Sequence, residues 1–311
     1  MSPPPGGAAS RIVSLRTATV LLLLVIALWG ANWPVMKIGL RYMPPLTFAA
    51  TRMLLGALVL FAFNAVTGRL LLPSRNDWRI VASVGLMQMG GFLMCVTSGL
   101  QYVDAGRSSI LAYTTSLWVI PLAALVLRER LSLLKFGGFV LAMGGVCVLF
   151  NPFGFEWTDP DVVLGNGLLL LGAVLSATQI VHVRRHHWEA SPLQLAPWQF
   201  SIAVLVLAPA AFFLEGQSTV EWAPALYAIL LYNGPVATAF CFWAVITVTR
   251  ALPAITTSLA TLGVPVTGVL VSALVLGEAL TPTNVGGLAL ILSGLALAAL
   301  ADRRHALAAA A

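Results

Sequence analysis

Charge is what this chain lacks. Of its 311 residues only 9% are charged, and only two of the 17 basic residues are lysines, Lys37 and Lys135. A soluble domain carries about 25% charged residues, so this set is too sparse to clothe a water-facing surface, and the outside must face lipid. No aspartate or glutamate falls in the middle of a long apolar run, which leaves a buried carboxylate relay without a candidate. Neither lysine follows a G-x-x-x-x-G pattern, so there is no phosphate loop to hydrolyse a nucleotide. H-E-x-x-H, G-x-S-x-G and C-x-x-C are missing too, which argues against an intramembrane hydrolase. The only cysteines, Cys95, Cys147 and Cys241, lie inside apolar stretches without metal-ligand spacing, and read as small packing residues. No cofactor or metal is expected. The net charge of +6 sits in short clusters between apolar runs and forms no continuous basic face, so no nucleic-acid partner is expected.

What the chain has instead is apolar length: 59% of it is hydrophobic. The first run, Thr17–Gly39, follows Arg11 and Arg16 as a signal core would, but it covers 23 residues and no A-x-A site follows. A signal core has about 7–15 residues, and at about 1.5 Å rise per residue this run crosses the ~30 Å hydrocarbon layer. Nine more runs follow: Leu46–Thr67, Trp78–Tyr102, Gly106–Leu127, Leu133–Phe150, Val163–Val183, Pro192–Leu214, Trp222–Thr249, Ile255–Leu276 and Thr283–Ala301. Lipid offers no partner for free backbone groups, so each is predicted to be a helix. The partners thus expected are the bilayer and a small-molecule substrate.

Basic residues orient the spans. With the N-terminus inside, cytoplasmic segments hold 13 of the 17 basic residues, among them Arg69, Arg75, Arg79, Arg184 and Arg185. A multi-pass protein of the plasma (inner) membrane with both termini cytoplasmic is predicted.

The chain also repeats itself. Ala124–Leu131 resembles Ala273–Leu280, and Gly137, Gly138, Leu141 and Gly145 recur as Gly286, Gly287, Leu290 and Gly294; ten of 22 positions agree at a constant offset of 149. A weaker match sets Pro45, Leu46 and Ala49 on Pro192, Leu193 and Ala196. The repeat holds five helices, and an odd number sends the second copy in from the other side. The fold expected is an all-α membrane protein of ten transmembrane helices as two inverted five-helix repeats. Its parts are a tail (1–16), a first repeat (17–150), an external linker (151–162), an inverted second repeat (163–301) and a second tail (302–311). Inverted repeats of this kind are characteristic of secondary transporters, whose site lies between the halves.

Over residues 17–301 the chain resembles the drug/metabolite transporter superfamily in its EamA-type branch. The resemblance rests on Leu28-Trp29-Gly30-Ala31-Asn32-Trp33, Pro45 with Arg52, the Arg-Glu-Arg-Leu and Gly-Glu-Ala-Leu ends of helices 4 and 9, and the Gly-Gly pairs opening helices 5 and 10. Pro265 precedes Glu278 by 13 residues, as in the family, whereas Pro121 precedes Glu129 by eight, so the resemblance does not fix the bend of helix 4. Within the superfamily the chain looks most like bacterial exporters of aromatic amino acids. The resemblance implies a non-enzymatic exporter of small metabolites, with a pathway among helices 1, 3, 4, 6, 8 and 9. A multidrug or nucleotide-sugar carrier is the alternative within that class, and a membrane-embedded enzyme or scaffold the alternative outside it.

Polar and aromatic groups inside the spans are the site candidates. Trp33 shares a face with Trp29 and, with Asn32, forms either a cavity wall or a packing face. Gln88 lies near mid-span in helix 3. Tyr113 and Trp118 in helix 4 offer stacking surfaces, while the neighbouring Thr and Ser residues suit bonds to their own helix. Gln179, the counterpart of Asn32, and His182 share a face of helix 6. Tyr232, Asn233, Gly234 and Pro235 break regular bonding in helix 8, and Trp243 follows. Thr256, Thr257 and Ser258 suit packing. Arg52, two turns into helix 2, suits snorkelling to the outer interface. Glu129 and Glu278, at helix C-termini, suit structural partners such as backbone amides.

Overall fold

A computed structural model describes residues 13–128, 132–150, 158–186, 189–216, 219–252, 257 and 260–310; Glu129, Thr256 and Ser258 lie outside them. Eight helices are long and apolar enough to cross a membrane: α1 (Leu15–Gly39), α2 (Pro45–Val66), α3 (Asp77–Gly99), α4 (Ala105–Val126), α6 (Pro160–Arg185), α7 (Pro192–Leu214), α8 (Pro224–Thr249) and the span Pro282–Ala301 within α10 (Pro282–Ala310). Two apolar helices, α5 (Leu133–Phe150) and α9 (Gly263–Leu276), are shorter in their described parts. No strand occurs among the described residues. The outward faces are apolar, with Leu23, Leu58, Leu205, Phe212 and Leu274 exposed, as a lipid-facing surface requires.

The starts of the helices are encoded locally. Proline occupies the first turn of α2, α6, α7 and α8, where its missing N–H leaves nothing unpaired. Ser14 accepts from the Thr17 N–H at 3.1 Å, Asp159 from Asp161 and Val162, and Ser191 with Gln194 forms a capping box, each satisfying amides that a helix start leaves open. Other starts are capped from a distant helix. Glu215, at the end of α7, accepts from the Leu46 and Thr47 amides of α2 at 2.5 and 2.9 Å. Glu278, past α9, accepts from the Ala105 and Gly106 amides of α4 at 2.6 and 2.8 Å. Its anion thus leaves the unfavourable C-terminus of its own helix for the favourable N-terminus of a neighbour.

Helix pairing is symmetric. α1 packs on α8 and α9, as α6 packs on α3 and α4; α2 meets α8 as α7 meets α3; and α2 meets α7, α4 meets α9, and α5 meets α10. The last three pairs run antiparallel. Leu46 of α2 lies by Glu215 while Asn64 donates to the Leu193 carbonyl. Ala105 of α4 lies by Glu278 while Ser109 reaches Pro265. Gly138 of α5 abuts Gly294 and Ala298 while Gly145 abuts Gly287 and Ile291. Without side chains at these glycines the α5 and α10 backbones touch, which is how helices associate where no hydrophobic effect drives them together.

Irregularities recur at matching positions. α3 widens to π bonding over Val84–Phe92 and α8 over Tyr232–Phe240, 148 residues on. α4 breaks at Thr114 (φ −63°, ψ −8°) and α9 begins beyond Leu262 (φ −62°, ψ −17°). At the break in α4, the Thr114 and Thr115 hydroxyls donate to the Leu111 and Ala112 carbonyls at 2.6 and 2.8 Å, re-satisfying backbone that the bend exposes. The bend therefore lies at Thr114 and not at Pro121. Arg128 and Gly277, at equivalent places after α4 and α9, both adopt left-handed backbone (φ 55° and 71°). Two expectations are corrected. Cys147 is exposed and not a packing residue. Arg52 does not snorkel: it is 9% exposed.

Candidate functional site

Where the two sets of helices meet, they enclose a cavity of about 460 Å³, within the range of small-molecule sites. α1, α2, α3 and α4 from the first set, and α6, α7 and α8 with Thr261 from the second, all reach it. Its aromatic walls are Trp29, Trp33, Phe92, Tyr113, Phe200 and Phe242. Both π segments face it, α3 through Gln88, Met89 and Phe92, and α8 through Ala237 and Thr238. π turns are rare and concentrate at functional sites.

The polar groups are few and specifically held. Arg52 donates from Nε to Thr238 Oγ1 at 2.9 Å and from Nη1 to Met36 Sδ at 3.0 Å, so α2 is tied to both α8 and α1. No carboxylate lines the cavity. Ser176 of α6 donates to Gln88 Oε1 at 2.5 Å, leaving the Gln88 amide donors for other partners. Trp29 donates to the Ala237 carbonyl at 2.8 Å, which bridges α1 to the π segment of α8 as Ser176 bridges α6 to that of α3. Asn32 is 5% exposed, and its amide oxygen has no hydrogen-bond partner.

Of the residues singled out from sequence, Asn32, Trp33, Gln88 and Tyr113 line this cavity, and the other six do not. Trp118 sits beyond the bend of α4, its indole N–H buried without a partner. Gln179 is buried on α6. His182 bonds Ser83 Oγ at 3.0 Å and lies against the His186 ring at 4.2 Å. The Tyr232 hydroxyl donates to the Leu28 carbonyl at 2.6 Å, and Asn233 donates to Ile229 in its own helix. Trp243 packs in an apolar cluster beside Phe240. Sequence reasoning missed Arg52, Ser176, Thr238 and Phe242 as lining groups. For Arg52 a signal was present: a cation two turns inside a span in a chain without a midspan acid.

Several known proteins are similar to this chain over most of their length. A probable amino-acid metabolite efflux pump of Salmonella typhimurium is 30% identical over 291 residues, covering 88% of this chain and 92% of the relative. A transporter of Bacillus subtilis, YoaV, described as uncharacterized, is 27% identical over 278 residues, covering 87% and 92%. A crystal structure at 23% identity superposes with a TM-score of 0.63 over 94% of this chain and 99% of the other, a likeness of fold. The model of the EamA-like transporter family matches twice, at residues 16–151 and again at 163–300. Two copies of one family pattern, folded about one aromatic cavity, give the assignment: this multi-pass membrane protein belongs to the EamA-like transporter family.

Proposed function

We propose that the protein is a secondary transporter exporting small metabolites, with amino acids, aromatic ones first, as its substrates. The observation that carries this reading is the cavity itself: aromatic walls, a handful of amides and hydroxyls, and a single uncompensated cation, with both halves of the chain contributing. Stacking surfaces suit an apolar side chain, and polar groups set in an apolar wall fix its orientation. Two relatives bear the name amino-acid metabolite efflux pump, which favours amino acids and the outward direction.

Alternating access follows from the symmetry. The ten helices act as two five-helix halves, 17–150 and 163–301, of opposite orientation in the membrane. The antiparallel pairing of α2 with α7, α4 with α9 and α5 with α10 supports this, because equivalent helices of inverted halves must run oppositely. Rocking one half against the other opens the cavity to one side at a time. Both termini are cytoplasmic, as the basic loops require. Gln88, Asn32, Trp33 and Tyr113 contact the substrate. Uptake of labelled amino acids into vesicles containing the purified protein tests the reading: flux above that of protein-free vesicles is expected, and no flux with any amino acid refutes it.

A further inference from the structure

Arg52 and Asn32 stand beside one cavity with unmet bonding capacity of opposite kinds. A guanidinium has five N–H donors. Arg52 uses Nε on a hydroxyl and Nη1 on a thioether, the latter a weak acceptor. Its Nη2 meets no acceptor among the described residues. Charges inside membrane spans are expected to pair, yet this one, 9% exposed, has no carboxylate partner there. Asn32 presents the converse: a buried amide oxygen that accepts nothing. Asn32 and Met36 are four apart on α1, hence neighbours at roughly 5–6 Å on one face, and Met36 is the residue Arg52 touches. A fork of donors and a lone acceptor therefore lie about a turn apart, with aromatic rings around them.

We propose that Arg52 and Asn32 form the head-group subsite for an α-amino acid, the guanidinium taking the α-carboxylate and the Asn32 amide oxygen accepting from the α-ammonium. The proposal rests on the transporter reading and names the chemistry its substrate must carry. A carboxylate fits the planar fork of an arginine through two parallel bonds. A phosphate dianion would need a second cation, and the nearest lysine on the same helix, Lys37, is engaged with the carbonyls of Leu100, Gln101 and Val103. An amine lacking the carboxylate sets a second cation beside Arg52. A carboxylic acid lacking the amine leaves Asn32 unpaired. The zwitterion alone satisfies both groups, and the substrate side chain rests on the aromatic walls.

The test uses the full chain in vesicles and three labelled probes of one size: tryptophan, tryptamine and indole-3-propionate. Tryptophan flux is expected to exceed each of the others by about tenfold or more, since a site built to bond a group rejects analogues lacking it. Arg52→Gln is expected to remove tryptophan flux, and Arg52→Lys, which keeps the charge but not the fork, to retain part of it. Asn32→Ala is expected to raise the flux of indole-3-propionate relative to tryptophan several-fold, a ratio that a mere folding defect leaves alone. Equal flux of tryptophan and tryptamine by the unaltered protein, or unchanged ratios in Arg52→Lys and Asn32→Ala, overturns the head-group assignment while leaving transport standing. Absence of flux for all twenty amino acids overturns the transporter reading and this inference with it.

Discussion

The α5–α10 contact makes a prediction in which neighbouring residues respond oppositely to one substitution. A methyl group at Gly138 falls 2.6 Å from the Gly294 carbonyl oxygen and 2.9 Å from the Ala298 nitrogen. Both are backbone atoms and cannot rotate aside, so the helices must separate. At Gly137 and Gly144 the same methyl meets nothing within 4 Å. Replacing glycine by alanine inside a helix gains up to about 1 kcal/mol at any of these sites. That gain is common to all three and cancels when the variants are compared. What remains is the overpacking penalty at Gly138, about 1–3 kcal/mol. Gly138→Ala is therefore expected to be less stable than Gly137→Ala and Gly144→Ala by that difference, with the latter two at or above the original protein. Thermal unfolding of purified protein in mild detergent, followed by loss of the monodisperse species, measures it. Neither α5 nor α10 lines the cavity, so flux below the unfolding temperature should survive in all three. Equal stability of Gly137→Ala and Gly138→Ala would refute the close-approach argument.

Other consequences are as direct. In a Cys147→Ser background, a cysteine at Thr158 should react with an impermeant reagent from outside intact cells and one at exposed Leu72 should not; the reverse pattern inverts the topology. Glu278→Ala should destabilise the protein by about 1–3 kcal/mol by leaving the Ala105 and Gly106 amides open, and Glu278→Gln by less, both read as unfolding temperatures in detergent. Gln88→Ala should lower amino-acid flux several-fold at unchanged membrane abundance, and Trp118→Ala, outside the cavity, should lower it less. Flux by the purified chain should be indifferent to ATP on either side of the vesicle, and ATP-driven accumulation would contradict the absence of a phosphate loop.

Helices were legible because lipid removes alternatives: a run of spanning length with no charge has only one way to satisfy its backbone. The span Pro192–Leu214 matches its helix at both ends, and the others differ by a few residues at ends set by proline and caps. The duplication was legible because glycines and a glutamate recur where low-complexity sequence would not place them. Side-chain direction was not legible. Trp118 and Tyr113 are both large aromatics on one helix, but the break at Thr114, made by hydroxyls bonding back to Leu111 and Ala112, decides which meets the cavity. Arg52 was misjudged for a related reason. A basic residue two turns from a helix end can reach water if its path is clear, and only packing reveals that Met36 and Thr238 hold it inward. Gln179 corresponds to Asn32 by sequence yet does not line the cavity, so near-symmetry of the fold leaves the site itself asymmetric.

The paired wide turns of α3 and α8 bear on where this architecture came from. A π turn accommodates one residue more than regular α-helical bonding, and such turns are rare. Here two stand at the same register of two halves that otherwise share few identities. Independent insertion at equivalent points would require two uncommon events to coincide. The simpler history is that a five-helix ancestor already carried the widened turn, and that duplication copied it with everything else. On that account the ancestor faced another copy of itself across the same space, with its wide turns lining a common chamber before the halves were ever joined in one chain. The linker around Thr158 came later than the cavity.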